Sequence, residues 1–221
     1  MDHQPRPGVR PKKSQRDRLI RLATTHPAWA LGFADETWWS RVAPPALHAW
    51  APAGQPLRLV EQAVARGEPK ALACYGLPAR WWDAPAAATE AIWLRFVDGR
   101  PVSGATTRFL AWCCAKLAAA GKAALLLVWD NAGWHISKEV RAWIAAHNRA
   151  VKRGEAAVRL VVCPLPTKSP WLNPIAPKWV HGRRRVVEPA RLLPTTELEE
   201  RVYAAPGADH AAHLTIPEKV A

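Results

Sequence analysis

The stretch LLLVWDNAGWH, residues 125–135, is an apolar run that ends abruptly in an Asp-Asn pair. Five consecutive hydrophobic residues, Leu125 to Trp129, followed by Asp130, Asn131, Gly133 and His135, read as a buried strand that delivers polar groups to a sheet edge. In open α/β sheets, ligand chemistry gathers at such strand ends. A capped strand whose Asp130 and Asn131 merely form a turn gives the same local pattern, so the weight comes from what flanks it.

Upstream, SGATTRFLAWCCAKLAAAGK sets Phe109, Leu110, Cys113, Cys114 and Leu117 at helical spacing, with Ser103 as N-cap and Gly121 as the residue just past the helix end. Downstream, SKEVRAWIAAHNRAVKRG is an amphipathic helix with Val140, Trp143, Ile144 and Ala145 on one face and Lys138, Arg141, Arg149 and Lys152 elsewhere. VRLVVCPLPT follows as another buried strand. SPWLNPIAPKWVHGRRR reads as a loop entering a further helix, with Asn173 as N-cap and Pro174 as first helical residue.

Earlier in the chain, residues 1–16 carry Pro5, Pro7, Gly8 and Pro11 among Arg and Lys and read as a flexible basic leader. A short helix is expected over Arg16 to Leu22. TTHPAWALGFADETWWSRV then predicts a strand from Trp29 to Phe33 that ends in Asp35-Glu36, with a second strand behind. LRLVEQAVA, GEPKALACYGLPA and TEAIWLRFVDGRP have the punctuated look of a meander, with turns at Gly67-Glu68-Pro69 and Asp98-Gly99. Past Pro189 the periodicity weakens; a helix around Thr195 to Tyr203 followed by disorder is expected over residues 191–221. The order strands, helix, strand, helix, strand, helix fits one mixed sheet with helices on its faces.

The chain has 221 residues, enough to bury a sizeable core. Its 31 Lys and Arg against 18 Asp and Glu give a formal charge of +13, which favours a polyanionic partner because each neutralised phosphate releases counterions. Cys74, Cys113, Cys114 and Cys163 show no metal-ligand spacing, and a reduced cytosolic setting fits them. There is no signal-peptide h-region and no apolar run of membrane-spanning length. Thirteen Trp against three Phe and two Tyr suit core filling, or stacking against nucleotides.

On a mixed sheet, Asp35 and Asp130 can end neighbouring strands, within bridging distance of a hard cation such as Mg²⁺. A pair of such ions about 3.5–4 Å apart supports phosphoryl transfer by activating the attacking oxygen and stabilising the leaving one. A basic protein with such a site is a nuclease or strand-transfer candidate.

GFADETWWSR, VWDNAGWHISKEVRAWI and CPLPTKSPWLNPIAPKWVHGRRR resemble the catalytic domain of DDE transposases, in the bacterial insertion-sequence family related to mariner elements. The similarity covers roughly Arg16 to Pro189. It implies an RNase H-like fold over residues 17–190, DNA as partner, and a Mg²⁺ or Mn²⁺ site that cleaves DNA at element ends and uses the freed 3′-hydroxyl for strand transfer. Asp35 matches the first acid and Asp130 the second. Asn131 and His135 fall beside them: Asn131 to orient Asp130 or a metal-bound water, His135 as a supporting or backbone or phosphate contact. Lys168, Lys178, Arg183, Arg184 and Arg185 are the expected DNA phosphate contacts.

The sequence departs from the family at the third acid, where it has Ala176. Two divalent ions about 4 Å apart repel by roughly 4 kcal/mol even at the dielectric of bulk water, and anionic ligands offset this. Metal binding is therefore expected to be weakened and the enzyme impaired. The same position is also the fourth of an Asn-x-x-Glu capping box, where Ala would cost a few tenths to about 1 kcal/mol. Glu36, Glu139 and Glu188 are the acids within reach by sequence, and of these only Glu36 could substitute, if the backbone turns there. The family's N-terminal helix-turn-helix region is not matched either, which implies a truncated copy without terminal-repeat recognition. A homodimer or pairing with an intact transposase, and a bacterial nucleoid setting, follow from the resemblance. A non-catalytic DNA-binding remnant and an RNase H-type nuclease are the alternatives.

Overall fold

The computed structural model describes residues 9–42, 64–84, 87–166, 169–187 and 191–215. Its sheet is built around the predicted strands. β1 (Trp29–Phe33) and β2 (Asp35–Ser40) pair antiparallel with β3 (Ala71–Ala84) in one register, Gly32 opposite Ala79 and Asp35 opposite Gly76. They act as one strand across Ala34, whose N–H donates to the Val128 carbonyl on the other edge at 2.9 Å. β4 (Ala87–Val97) forms a hairpin with β3. β5 (Ala124–Trp129) runs parallel to β1, and β6 (Arg159–Pro164) parallel to β5. Every residue of β5 is buried, as a parallel strand covered on both faces requires, and this is why it reads as a continuous apolar run.

α2 (Ser103–Ala119) and α3 (Lys138–Lys152) cover one face. Phe109, Leu110, Cys113, Leu117 and Val140 meet Tyr75, Leu125, Leu127 and Trp129 there. On the other face, α1 (Val9–Thr25) sets Leu19 and Ala23 against Leu31, Leu126 and Val128. Beside it, α4 (Ile175–Val186) and α5 (Thr195–Ala204) set Ile175, Trp179, Leu198 and Tyr203 against Trp39, Cys74 and Phe96. Each large apolar side chain buried this way contributes about 1.5–3 kcal/mol. All four cysteines are buried.

Several boundaries differ from the sequence reading. α1 begins at Val9, so residues 9–16 of the expected leader are helical; residues 1–8 lie outside the described residues. Pro11 is tolerated because it falls in the first turn, whose N–H groups have no intrahelical partner. The strand expected in LRLVEQAVA falls outside the described residues, apart from Val64 and Ala65, which carry no regular structure. Ser103 is the first helical residue rather than the N-cap, and its hydroxyl donates to Ser137 Oγ at 2.8 Å. Ser137 is the cap of α3 and accepts from the Val140 N–H. Gly121 does end α2: at φ 70°, its N–H reaches Ala118 O while the Lys122 N–H reaches Leu117 O, a Schellman arrangement.

Ala145 lies on the exposed side of α3. The inner side continues instead through His147 and Asn148, which bond the backbone of Val158 and Leu160. Nor is the chain disordered directly after α5. Leu214 is buried and bridges Val97, its N–H donating to Phe96 O at 2.7 Å. His213 sits between Asp98 and Glu199. Residues 216–221 lie outside the described residues.

Candidate active site

The β1–β5 pairing sets Phe33 opposite Val128. Two residues further along each chain stand Asp35 and Asp130, so the two acids occupy equivalent places one strand apart, where neighbouring strands lie about 4.8 Å from each other. Residues of one parity on a strand share a face. Asp35 therefore lies on the α4 side with Trp39, and Glu36 on the α2–α3 side.

Asp35 is held by two donors. Its Oδ1 accepts from the Glu36 N–H at 2.9 Å and its Oδ2 from the Trp179 indole N–H at 3.0 Å. Trp179 reaches it because the residue opposite Asp35 is Gly76: a Cβ at position 76 would stand 2.2 Å from Trp179 Cη2. The contact is reciprocated at Gly182 of α4, where a Cβ would stand 2.9 Å from Trp39 Cη2. Two Trp-on-Gly contacts thus seat α4 on the sheet. Gly76→Ala should push the indole off Asp35 and cost about 1–3 kcal/mol by overpacking. A fall in the urea midpoint measures this; an unchanged midpoint would show that the ring moves freely.

On the far side of the sheet end, His135 is fully buried and stacks on Trp129 at 4.5 Å. Its Nε2 meets Glu36 Oε1 at 2.7 Å and its Nδ1 meets Asp130 Oδ1 at 2.8 Å. Trp134 Nε1 donates to the other Glu36 oxygen at 3.2 Å. Both ring nitrogens are therefore engaged, and His135 is not placed to meet a phosphate. Asp130 Oδ1 also accepts from the Ala132 N–H, while its side chain as a whole is half exposed.

The charges follow from this geometry. Burial, then the Glu36 charge, then the Asp130 charge push Asp35 up to about 6, against the pull of the Glu36 and Trp179 hydrogen bonds. The His135 hydrogen bond is the main cause of a lowered Asp130 pKa. Burial alone would lower His135, but the Asp130 and Glu36 hydrogen bonds and charges outweigh it and bring it to about 9. A folded-state value above the ordinary 6.5 means that the stabilisation is complete below pH 6.5 and is lost as pH rises through about 9. His213, also raised by acidic partners, adds to the same fall. The melting temperature should therefore decline between pH 6.5 and 9, and His135→Gln should flatten the decline; an equally steep decline in that variant would assign it elsewhere.

α4 begins beside the same sheet end. Asn173 is buried; its Nδ2 donates to Ala34 O at 3.0 Å and its Oδ1 accepts from the Ile175 N–H. Asn173 thus caps the helix start from one residue further out than expected, since Pro174 is already outside α4. The same side chain ties the helix to the residue before Asp35. Ala176 is one turn before Trp179, so the two share a side of the helix, the side that faces Asp35.

No acid substitutes for it among the described residues. Because β2 continues the register of β1, Glu36 points to the opposite face and is taken up by His135 and Trp134. Glu139 lies on α3 near Gly104, and Glu188 is outside the described residues. No group of three His, Cys, Asp or Glu side chains suited to a metal forms among the described residues. Two carboxylates with water suit one hard divalent cation; a second ion would lack the anionic ligand that offsets ion–ion repulsion.

The other expected residues separate. Asn131 Nδ2 donates to the Leu165 carbonyl, tying the end of β5 to the chain leaving β6. Arg183 donates to Thr37 Oγ1, and with Arg184 it lines an open groove along β2 with Glu36 and Trp38. Arg185 and Lys178 instead border the apolar recess between α4, α5 and the sheet. The arginine run is therefore split between two sides of the helix, as a turn of about 100° per residue demands. Lys168 lies outside the described residues. Trp179, Gly76 and the Glu36–His135 contact were not foreseen as parts of the site; the three-residue spacing of Ala176 and Trp179 was the one available signal.

A mixed sheet in this order, with paired carboxylates at the ends of adjacent parallel strands, defines the RNase H-like class. Residues 30–198 match the family described as DDE superfamily endonuclease, and the chain belongs to that family. Among solved structures the fold is similar to the Mos1 transposase paired-end complex with left transposon end (TM-score 0.57, 14% identity, 95% of this chain and 58% of that one). It is likewise similar to the Mos1 mariner paired-end complex with Mn (TM-score 0.58, 15% identity, 94% and 57%). The Mos1 strand transfer complex gives a TM-score of 0.55 at 14% identity, over 94% and 56%. The chain thus spans somewhat more than half the length of these structures, and at such identities the likeness speaks for the fold. No curated sequence is similar enough to match it.

Proposed function

We propose that this is a DNA transposase catalytic domain of the insertion-sequence type related to mariner elements, acting on DNA and weakened as an enzyme by Ala176. The observation that supports the reading is the placing of Asp35 and Asp130 at equivalent positions on adjacent parallel strands, with α4 docked beside Asp35 through Trp179 and Asn173; Ala176, in the first turn of that helix, is read as the position of the third carboxylate. Asp35 and Asp130 would hold one Mg²⁺ or Mn²⁺, which when bound supplies Lewis-acid activation of a phosphoryl oxygen. Trp179 fixes the rotamer of Asp35, and His135 fixes that of Asp130. Arg183 and Arg184 present cations beside Glu36 and Trp38 along β2, where a phosphate backbone would run.

The test is a nicking assay on duplex DNA with Mn²⁺, comparing the chain with Asp130→Ala. Weak or absent nicking is expected; robust nicking abolished by Asp130→Ala would overturn the impairment. The missing carboxylate also favours a second reading, a DNA-binding protein without catalysis, which predicts salt-sensitive binding and no nicking at any metal concentration. In either case Arg184→Ala should weaken DNA binding and reduce the slope of log affinity against log salt by about 1. A gel-shift titration reads this, and an unchanged slope would remove Arg184 from the interface.

A further inference from the structure

Trp171 is 71% exposed, more than any other large apolar side chain among the described residues. It lies in the single 3-10 turn Pro170–Leu172 that precedes α4. The residues around it are fixed inward: Ser169, Leu172 and Asn173 are all buried. Leu172 belongs to the core under α1, and Asn173 is bonded to Ala34. The indole is thus displayed by a well-anchored turn. From Trp171 to Asn173 the chain spans at most about 7 Å, so the turn that carries the ring lies next to the residue bonded to Ala34, which precedes Asp35 in the chain.

The same turn is held by a cation. Arg16 Nη1 donates to the Leu172 carbonyl at 3.1 Å, which docks α1 beside the indole. α1 carries six basic residues and a single acid, Asp17, which is occupied by Arg16. Lys13, one turn before Arg16 and so on the same side of the helix, is exposed. An exposed indole next to a basic helix offers a nucleotide both of its needs, a π-face for the base and positive charge for the adjoining phosphates. A paired base inside a duplex hides its face, so the occupant is an unpaired one.

We propose that Trp171 is a stacking platform for an unpaired base of a DNA strand entering the carboxylate site, with α1 contacting the phosphates beside it. The proposal rests on the DNA-processing reading above. The test uses fluorescence anisotropy of the whole chain with two labelled DNAs and no divalent ion: a blunt duplex, and the same duplex with a short unpaired 3′ extension. The extended DNA should bind more tightly, and Trp171→Ala should weaken its binding about 10-fold while leaving the blunt duplex unchanged. Trp171→Phe should keep most of the preference. Trp171→Leu, which retains apolar bulk without a π-face, should lose it, and its melting temperature shows that the fold is intact. Equal affinities of wild type and Trp171→Ala for the extended DNA, or equal losses on both DNAs, would overturn the stacking role. If the unaltered chain binds neither DNA at low salt, the DNA-processing reading falls with it.

Discussion

Replacing Ala176 with glutamate is expected to tighten Mn²⁺ binding by about 100-fold or more, since outer partners of metal ligands alone are worth about 10- to 100-fold. It should also raise DNA nicking from weak or absent to readily measurable. The position faces the site because Trp179, one turn later, already touches Asp35 Oδ2 at 3.0 Å. The helix would not have to move, being fixed by Trp179 over Gly76, Trp39 against Gly182 and Asn173 on Ala34. Ala176 is partly exposed, so the longer side chain has room, and a carboxylate in the first turn of a helix is favoured by the N–H groups there. Without metal the change should be unfavourable, because a third carboxylate joins Asp35, already pushed up to about 6 by burial and by Glu36. A divalent ion reverses that sign, since the same cluster of charge is what holds it. Calorimetric titration with Mn²⁺ of the original chain, Ala176→Glu and the uncharged Ala176→Gln separates charge from size. Glutamate binding no more tightly than glutamine would mean that position 176 does not serve the ion.

What could be read from the sequence depends on how far each signal travels along the chain. β5 was legible because a strand buried on both faces needs an unbroken apolar run, and LLLVW supplies one just where Asp130 follows. α2 and α3 were legible from helical spacing, and Gly121 from the need for a left-handed residue after a helix. The juxtaposition of Asp35 with Asp130 follows once β1 and β5 are taken as parallel neighbours. The opposite facing of Glu36 follows from strand alternation alone. The hold on Asp35 was not legible. Trp179 lies 144 residues away, and its access depends on Gly76, which looks in sequence like an unremarked strand glycine. The length of α1 was hidden by Pro11, a helix breaker in most positions but harmless in a first turn. The order after α5 was hidden because residues 205–215 have no periodicity of their own and are held through Leu214 on β4.

His135→Ala should produce the largest loss of stability in the site, about 3–5 kcal/mol, the usual cost of removing one partner from a buried ion pair. With a pKa of about 9 the imidazole is a cation at neutral pH, enclosed between Glu36 and Asp130. The two carboxylates are not equal in this. The Glu36 side chain is only 7% exposed, and without His135 it keeps, among the described residues, the Trp134 indole alone as a side-chain partner; that of Asp130 is 51% exposed and can take water instead. Most of the cost therefore belongs to Glu36, a residue outside the pair of candidate ligands. It follows that Glu36→Gln in the His135→Ala background should recover a substantial part of the loss, because a neutral amide costs far less to leave poorly paired than a carboxylate does. Asp130→Asn in the same background should recover little. Urea denaturation of the two single variants and both doubles gives the coupling energies. If Asp130→Asn rescues and Glu36→Gln does not, the imidazolium serves chiefly Asp130 and the assignment to Glu36 is wrong. If the assignment to Glu36 holds, its carboxylate seats His135 on Trp129 and, together with Asp130, keeps the ring charged, so Asp130 is oriented from the opposite face of the sheet, by a residue adjacent to Asp35 in the chain.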